Sequence, residues 1–200
     1  WDSDGRREIY KKAQLSEEQH KLLKKICEKN KVEFLTSVFN IKHLNFLAKL
    51  NPNAIKIPSH EIHNLSLIKK TTELFKLILA SAGACNWSEL KEVAKIRSKK
   101  IIFMHCVSSY PCKFENLNFP KMDKLKDLSK QIGYSGHYSG IDDAIVAICK
   151  GATYVEKHFT IDNDLPGRDN KFAILPKDLK HLCQFAKNFK NMSIDHGLDL

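Results

Sequence analysis

The chain has 200 residues, 42% hydrophobic and 28% charged, a composition suited to one globular domain with a sizeable core. No apolar run approaches the roughly 20 residues of a membrane helix and no secretory leader is visible, so a cytoplasmic protein without a membrane partner is expected. The net charge of +10 comes from lysines scattered along helices, with no recognition motif and no aromatic interleaving; such a field suits an anionic small substrate better than nucleic acid.

Ser16-x-x-Gln19 is a capping box ahead of a helix that carries Leu22, Leu23, Ile26 and Cys27 on one face. A strand follows at Val32 to Ser37, a helix at Ile41 to Leu50 and a strand around Ala54 to Ile57. The next helix covers about Leu65 to Glu73 and leads to a strand at Lys76 to Ser81. Asn86-x-x-Glu89 caps another helix, and Lys100 to Val107 is a strongly apolar strand. A helix at about Lys121 to Lys130 precedes two strands, Gln131 to Ser135 and Ala152 to Lys157. Between them runs a helix from Ile141 to Lys150, closed by Gly151. Pro176 opens the last helix, with Leu179, Leu182, Phe185 and Phe189 on its inner face. The six cysteines form no CxxC pair and read as reduced, mostly buried thiols.

Strands alternating with helices mean βαβ units and a parallel sheet. Six strands end near Ser37, Ser59, Ser81, Ser108, Ser135 and His158, at intervals of 22 to 27 residues. This regularity, without a glycine-rich dinucleotide loop, predicts an α/β chain of the (β/α)8 TIM-type barrel class, with about six βα units visible. Its active site would lie at the carboxyl ends of the strands. Those ends carry Ser37, Lys56, Ser59, Glu61, Ser81, Ser108, Tyr110, Ser135, His137 and His158.

Hydroxyls donate hydrogen bonds and Lys56 supplies charge, a combination that suits a phosphate or carboxylate. Each serine alone also reads as a turn or cap residue, and a strand lysine can snorkel to an end. His137 and His158 end successive strands and point at one space, which suits a divalent metal. Their separation of 21 residues is no short metal motif, and a core or capping histidine is the usual alternative. His105, between Met104 and Cys106, illustrates that alternative as a group in the barrel wall or behind a ligand. Asp142 and Asp143 fall in the first turn of a helix, where a carboxylate favours the dipole.

Gly133-Tyr134-Ser135-Gly136-His137, Val155-Glu156-Lys157-His158-Phe159-Thr160 and Leu165-Pro166-Gly167-Arg168-Asp169 resemble the sialic acid synthase family, that is, N-acetylneuraminate synthase and related nonulosonic acid synthases. Glu33-Phe34-Leu35-Thr36-Ser37, Lys56-Ile57-Pro58-Ser59-x-Glu61 and His105-Cys106-Val107-Ser108-Ser109-Tyr110-Pro111 continue the match in order, from about Tyr10 to Phe189. The resemblance implies a barrel enzyme that condenses phosphoenolpyruvate with an N-acetylated aldose, such as N-acetylmannosamine, for surface polysaccharide. It places a manganese or magnesium ion on His137 and His158. Phosphoenolpyruvate falls to Ser37, Lys56, Ser59, Ser81, Ser108 and Ser135, and the sugar to Glu61, Tyr110 and Asp169. Lys56, Glu61, His137 and His158 are then the expected catalytic set.

The resemblance also implies a homodimer for the full-length enzyme. It makes residues 1–200 a single incomplete barrel domain, lacking the family's first two strands and its antifreeze-like carboxy-terminal domain. Val38 stands where proline is usual, His60 where glycine is usual, and Gly136 where many members carry aspartate; Ala82-Gly83-Ala84 replaces Thr-Gly-Met. These departures keep two alternatives open: a legionaminic or pseudaminic acid synthase with another acceptor, and a non-catalytic remnant or binding subunit.

Overall fold

The computed structural model describes residues 6–96, 98 and 100–197. Two helices come first, α1 (Arg6–Ala13) and α2 (Glu17–Lys29). Helix α3 (Leu44–Lys49) leads into strand β1 (Ile55–Ile57), and each later strand is preceded by a helix. The order is α4 (Leu65–Leu74), β2 (Ile78–Ser81), α5 (Trp87–Ala94), β3 (Ile101–Cys106), α6 (Pro120–Leu125), β4 (Ile132–Gly136), α7 (Asp142–Cys149), β5 (Ala152–Lys157) and α8 (Pro176–Met192). All neighbouring strands pair in parallel, in the spatial order β1-β2-β3-β4-β5.

Local signals place most of these elements. The capping boxes at Ser16 and Asn86 both form, each supplying partners for amide groups that a helix start leaves free. Gly151 follows α7 with φ +95°, a conformation that suits glycine at a helix end.

Three of the expected elements are corrected. Val32 to Ser37 is not a strand of the sheet: it meets β1 only through a bridge between Ser37 and Lys56, where Thr36 accepts from the Lys56 amide and Val38 donates to the Lys56 carbonyl, both at 3.0 Å. Val32 and Leu35 are exposed and only Phe34 of the segment packs against the core, so one face alone holds it beside β1. The helix expected over residues 41–50 splits into a 3-10 turn, Ile41–His43, and α3, because Asn40 caps the turn through the Lys42 amide. The helix expected over residues 121–130 stops at Leu125, and the Ser129 hydroxyl then reaches the Ile101 and Gln131 carbonyls, turning the chain back to the sheet.

Alternation along the strands makes two faces. Outward residues such as Ile55, Ile57, Ile78, Phe103 and Tyr134 pack with Leu67, Ile68, Leu90, Val93 and Met122 of the helices. Full burial of one such side chain contributes about 1.5–3 kcal/mol. Inward, Leu79, Ile102 and Met104, with Leu77 and Tyr154, form an apolar floor. The sheet is strongly curled. In a flat sheet β1 and β5 would stand about 19 Å apart, four strand spacings, yet Lys56 Nζ lies 3.2 Å from Glu156 Oε2.

Helix α2 has its predicted apolar stripe, but none of its residues is buried among the described residues. Helix α8 packs Leu182, Phe185 and Phe189 against Ile141 and Ile148 of the α7 region, while Leu179 stays exposed. All six cysteines are free. Cys106 and Cys112 are buried, but Cys149 and Cys183 are exposed, because they lie on outward helix positions rather than in the core. Among the described residues no helix is long and apolar enough to cross a membrane.

Candidate active site

The inward row continues above the apolar floor as polar groups. Lys56 sits between Ile55 and Ile57, so when those two face the helices its side chain is directed inward. It is 5% exposed and its ammonium meets Glu156, which also accepts from the Ser135 hydroxyl at 3.2 Å. Three strands, β1, β4 and β5, therefore converge on one carboxylate. Sequence reading missed Glu156. The available signal was its parity with His158, which lies two positions on, just past the end of β5.

Next to this group lies a small polar cradle. Ser59 accepts from the Gly83 amide at 3.1 Å and donates to Cys106 Sγ at 3.5 Å. A Cβ on Gly83 would fall 2.6 Å from the Ser108 hydroxyl and 2.8 Å from both Ser59 Oγ and Cys106 Sγ, so only glycine leaves these groups in place. The Ser81 hydroxyl, 1% exposed, has no hydrogen-bond partner among the described residues. A buried hydroxyl without a partner is uncommon and is available to a bound acceptor.

The imidazoles stand beside the cradle. His137 Nδ1 donates to the Val107 carbonyl at 2.8 Å; since a carbonyl only accepts, Nδ1 holds the proton and Nε2 keeps its lone pair. Cys106 Sγ lies 3.9 Å from the same nitrogen. The ring of His158 is 5.3 Å from that of His137, nearly edge-on, and its Nδ1 lies 3.5 Å from Asp169 Oδ2. Burial is the largest influence on both rings and holds their pKa values below the usual imidazole value, despite the opposing pull of the Val107 carbonyl on one and Asp169 on the other. Neutral imidazole is the form that binds metal. Among the described residues no group of three or more His, Cys, Asp or Glu is arranged to hold an ion, so these two rings stand as a pair of donors and not as part of a larger cluster.

Tyr110 covers the pair, its ring 4.1 Å from that of His137 and 6.0 Å from that of His158. Its phenol is pushed up to about 12, first by burial and then by nearby acidic groups, so it stays a neutral donor. Phe172 closes the other side, 5.0 Å from His158. Of the remaining expected residues, Ser37 is held at the bridge to Lys56, whereas Glu61 accepts from Asn64 at 3.0 Å in the turn that starts α4. His105 faces the helices, donating from Nε2 to the Leu117 carbonyl at 2.7 Å between Phe119 and Tyr134. His60 is exposed and stacks on Phe39 at 5.4 Å.

Comparison with known proteins places this geometry. The NeuB family model matches residues 1–196. The chain is 34% identical over 189 residues to N,N'-diacetyllegionaminic acid synthase of Campylobacter jejuni, covering 91% of this chain and 57% of that protein. It is 31% identical to N-acetylneuraminate-9-phosphate synthase of Drosophila melanogaster, covering 90% of this chain and 50% of that protein. The solved N-acetylneuraminic acid synthetase of Leptospira borgpetersenii, in complex with citrate, superposes with a TM-score of 0.88 at 30% identity, over 95% of this chain and 68% of that one. The chain thus spans about half the length of the curated relatives it matches.

Proposed function

From the premise that this chain belongs to the NeuB family, we propose that it forms the substrate-binding part of a (β/α)8 synthase barrel that condenses phosphoenolpyruvate with an N-acetylated aldose. The product is a nine-carbon 2-keto sugar acid for surface polysaccharide, with phosphate released. The enzyme would be a cytoplasmic homodimer, with residues 1–200 within its barrel domain. The supporting observation is the ring of Lys56, Ser59, Gly83, Ser108 and Ser135 beside two neutral imidazoles.

In this reading Lys56, with the hydroxyls of Ser37, Ser59, Ser81, Ser108 and Ser135, holds the carboxylate and phosphate of phosphoenolpyruvate. A bound anion then shares the ammonium with Glu156. His137 and His158 would hold manganese or magnesium, which when bound supplies Lewis-acid polarisation of the sugar aldehyde. Glu61, Tyr110 and Asp169 face the sugar. C3 of phosphoenolpyruvate bonds to the aldehyde carbon, water adds at C2, and departure of phosphate leaves the keto group. In this reading both reactants would be held at one mouth of the curled sheet, which supplies proximity.

The test is calorimetric titration of phosphoenolpyruvate with and without Mn²⁺, followed by phosphate release from the full-length gene product with N-acetylmannosamine. Absence of phosphoenolpyruvate binding under both conditions would favour the non-catalytic alternative. Gly83→Ala is expected to push the Ser59 and Ser108 hydroxyls aside and weaken that binding about fivefold, the value of one neutral hydrogen bond. Unchanged affinity would remove the cradle from the site.

One observation favours a different acceptor. The exposed His60 ring, stacked on Phe39, adds bulk where the resemblance expects glycine. Product mass spectrometry across N-acetylmannosamine and the legionaminic and pseudaminic acid precursors separates the acceptors.

A further inference from the structure

Behind the imidazoles, between the sheet and α7, lies a buried charge cluster. Sequence reading assigned Asp143 to the helix dipole; it does lie in the first turn of α7, but its carboxylate is committed elsewhere. Lys157 Nζ donates to its two oxygens at 3.0 and 2.8 Å and to the Tyr138 carbonyl at 2.7 Å. The Tyr134 hydroxyl donates to Oδ2 at 2.9 Å, and the Ala144 amide to Oδ1 at 2.8 Å. The side chains of Lys157 and Asp143 are 4% and 0% exposed. These partners bracket the candidate metal pair, since Tyr138 follows His137 and Lys157 precedes His158.

Gly136 supplies an independent observation. A Cβ there would fall 2.5 Å from Asp143 Oδ2 and 2.5 Å from Tyr134 Cε1. Positions 136 and 143 thus address the same space, one from the strand and one from the helix. A buried ion pair rarely stabilises a fold more than apolar packing of the same volume would. What it adds is fixed geometry, because each charge tolerates only its partner's position.

We propose that Asp143 is a positioning residue: through Lys157 and Tyr134 it sets the separation of the His137 and His158 strand ends, and Gly136 is the residue that makes room for it. This rests on reading those imidazoles as a metal pair. It also predicts that the carboxylate can be supplied from either position.

The experiment compares the full chain with Asp143→Ala, Gly136→Asp and the double variant. It reads Mn²⁺ affinity by electron paramagnetic resonance, the urea midpoint, and the side-chain NMR signals of His137 and His158 without metal. Asp143→Ala is expected to weaken Mn²⁺ binding at least about tenfold, as loss of a group orienting a ligand does. Gly136→Asp alone crowds two carboxylates and also weakens it. The double variant moves the carboxylate from helix to strand and recovers most of both losses.

Additive losses in the double variant would overturn the proposal. So would an Asp143→Ala protein with a lowered urea midpoint but unchanged Mn²⁺ affinity and unmoved histidine signals. If Asp143→Ala does not fold, Asp143→Asn keeps the shape and removes the charge. It should give an intermediate loss, and unchanged affinity would again count against the proposal. If the unmodified chain binds no Mn²⁺, the metal reading falls while the NMR signals and the urea cycle still decide this one. Histidine signals that move in Asp143→Ala and return in the double variant support it, and unmoved signals overturn it.

Discussion

Lys56→Met is expected to lower phosphoenolpyruvate affinity by about 100-fold. A hydrogen bond to a charged group contributes about 1.5–3 kcal/mol, or roughly 10- to 150-fold in affinity. The upper part of that range applies, because among the described residues removing the ammonium leaves Glu156 with the Ser135 hydroxyl alone and turns its charge against an incoming anion. The two contributions separate in Lys56→Met/Glu156→Gln. That protein should regain what repulsion took but not what the cation supplied, giving an affinity between the single variant and the unmodified chain. Lys70→Met is the control, since Lys70 is an exposed partner of Glu73 on α4. Calorimetry reads all four. A Lys56→Met protein within threefold of the unmodified chain would remove Lys56 from the anion site.

The second large effect is expected at the imidazoles. His137→Ala or His158→Ala should each weaken Mn²⁺ binding by more than about 100-fold, because even partners that only orient a ligand contribute 10- to 100-fold. The two rings are held differently, and the variants of their supports should differ too. His137 is fixed by a backbone carbonyl that no side-chain substitution removes. His158 has Asp169 at 3.5 Å, so Asp169→Asn should cost up to about tenfold through that ring alone.

The pH dependence follows from the depressed imidazole pKa values. Below the ordinary imidazole pKa of about 6.5 the unfolded chain takes up protons at these histidines before the folded one does. Their contribution to stability is therefore fully present above that pH and falls as the pH drops toward the folded values. Mn²⁺ binding should follow the same direction, since protonated imidazole has no lone pair to offer. A metal titration repeated from pH 8 to 5.5 checks this, and affinity that rises on acidification would exclude the pair as ligands.

Period and punctuation were legible in the residues alone. Ile-Lys-Ile, the apolar run of β3, the Ser16 and Asn86 caps and Gly151 predict elements that form near the expected bounds, because alternation and capping act over four residues or fewer. The family was legible too, since its motifs are contiguous. Val32 to Ser37 has the composition of a strand, but a strand exists only through its neighbours, and here it has one bridge to β1. The meeting of Lys56 with Glu156 was hidden for the same reason. They lie 100 positions apart, and only the curl of the sheet, which no local pattern encodes, brings them to 3.2 Å. Asp143 shows the division within one residue. Its place in the first turn of α7 follows from sequence. Its commitment to Lys157 and Tyr134, with Gly136 left bare to admit it, was decided when α7 packed against β4 and β5.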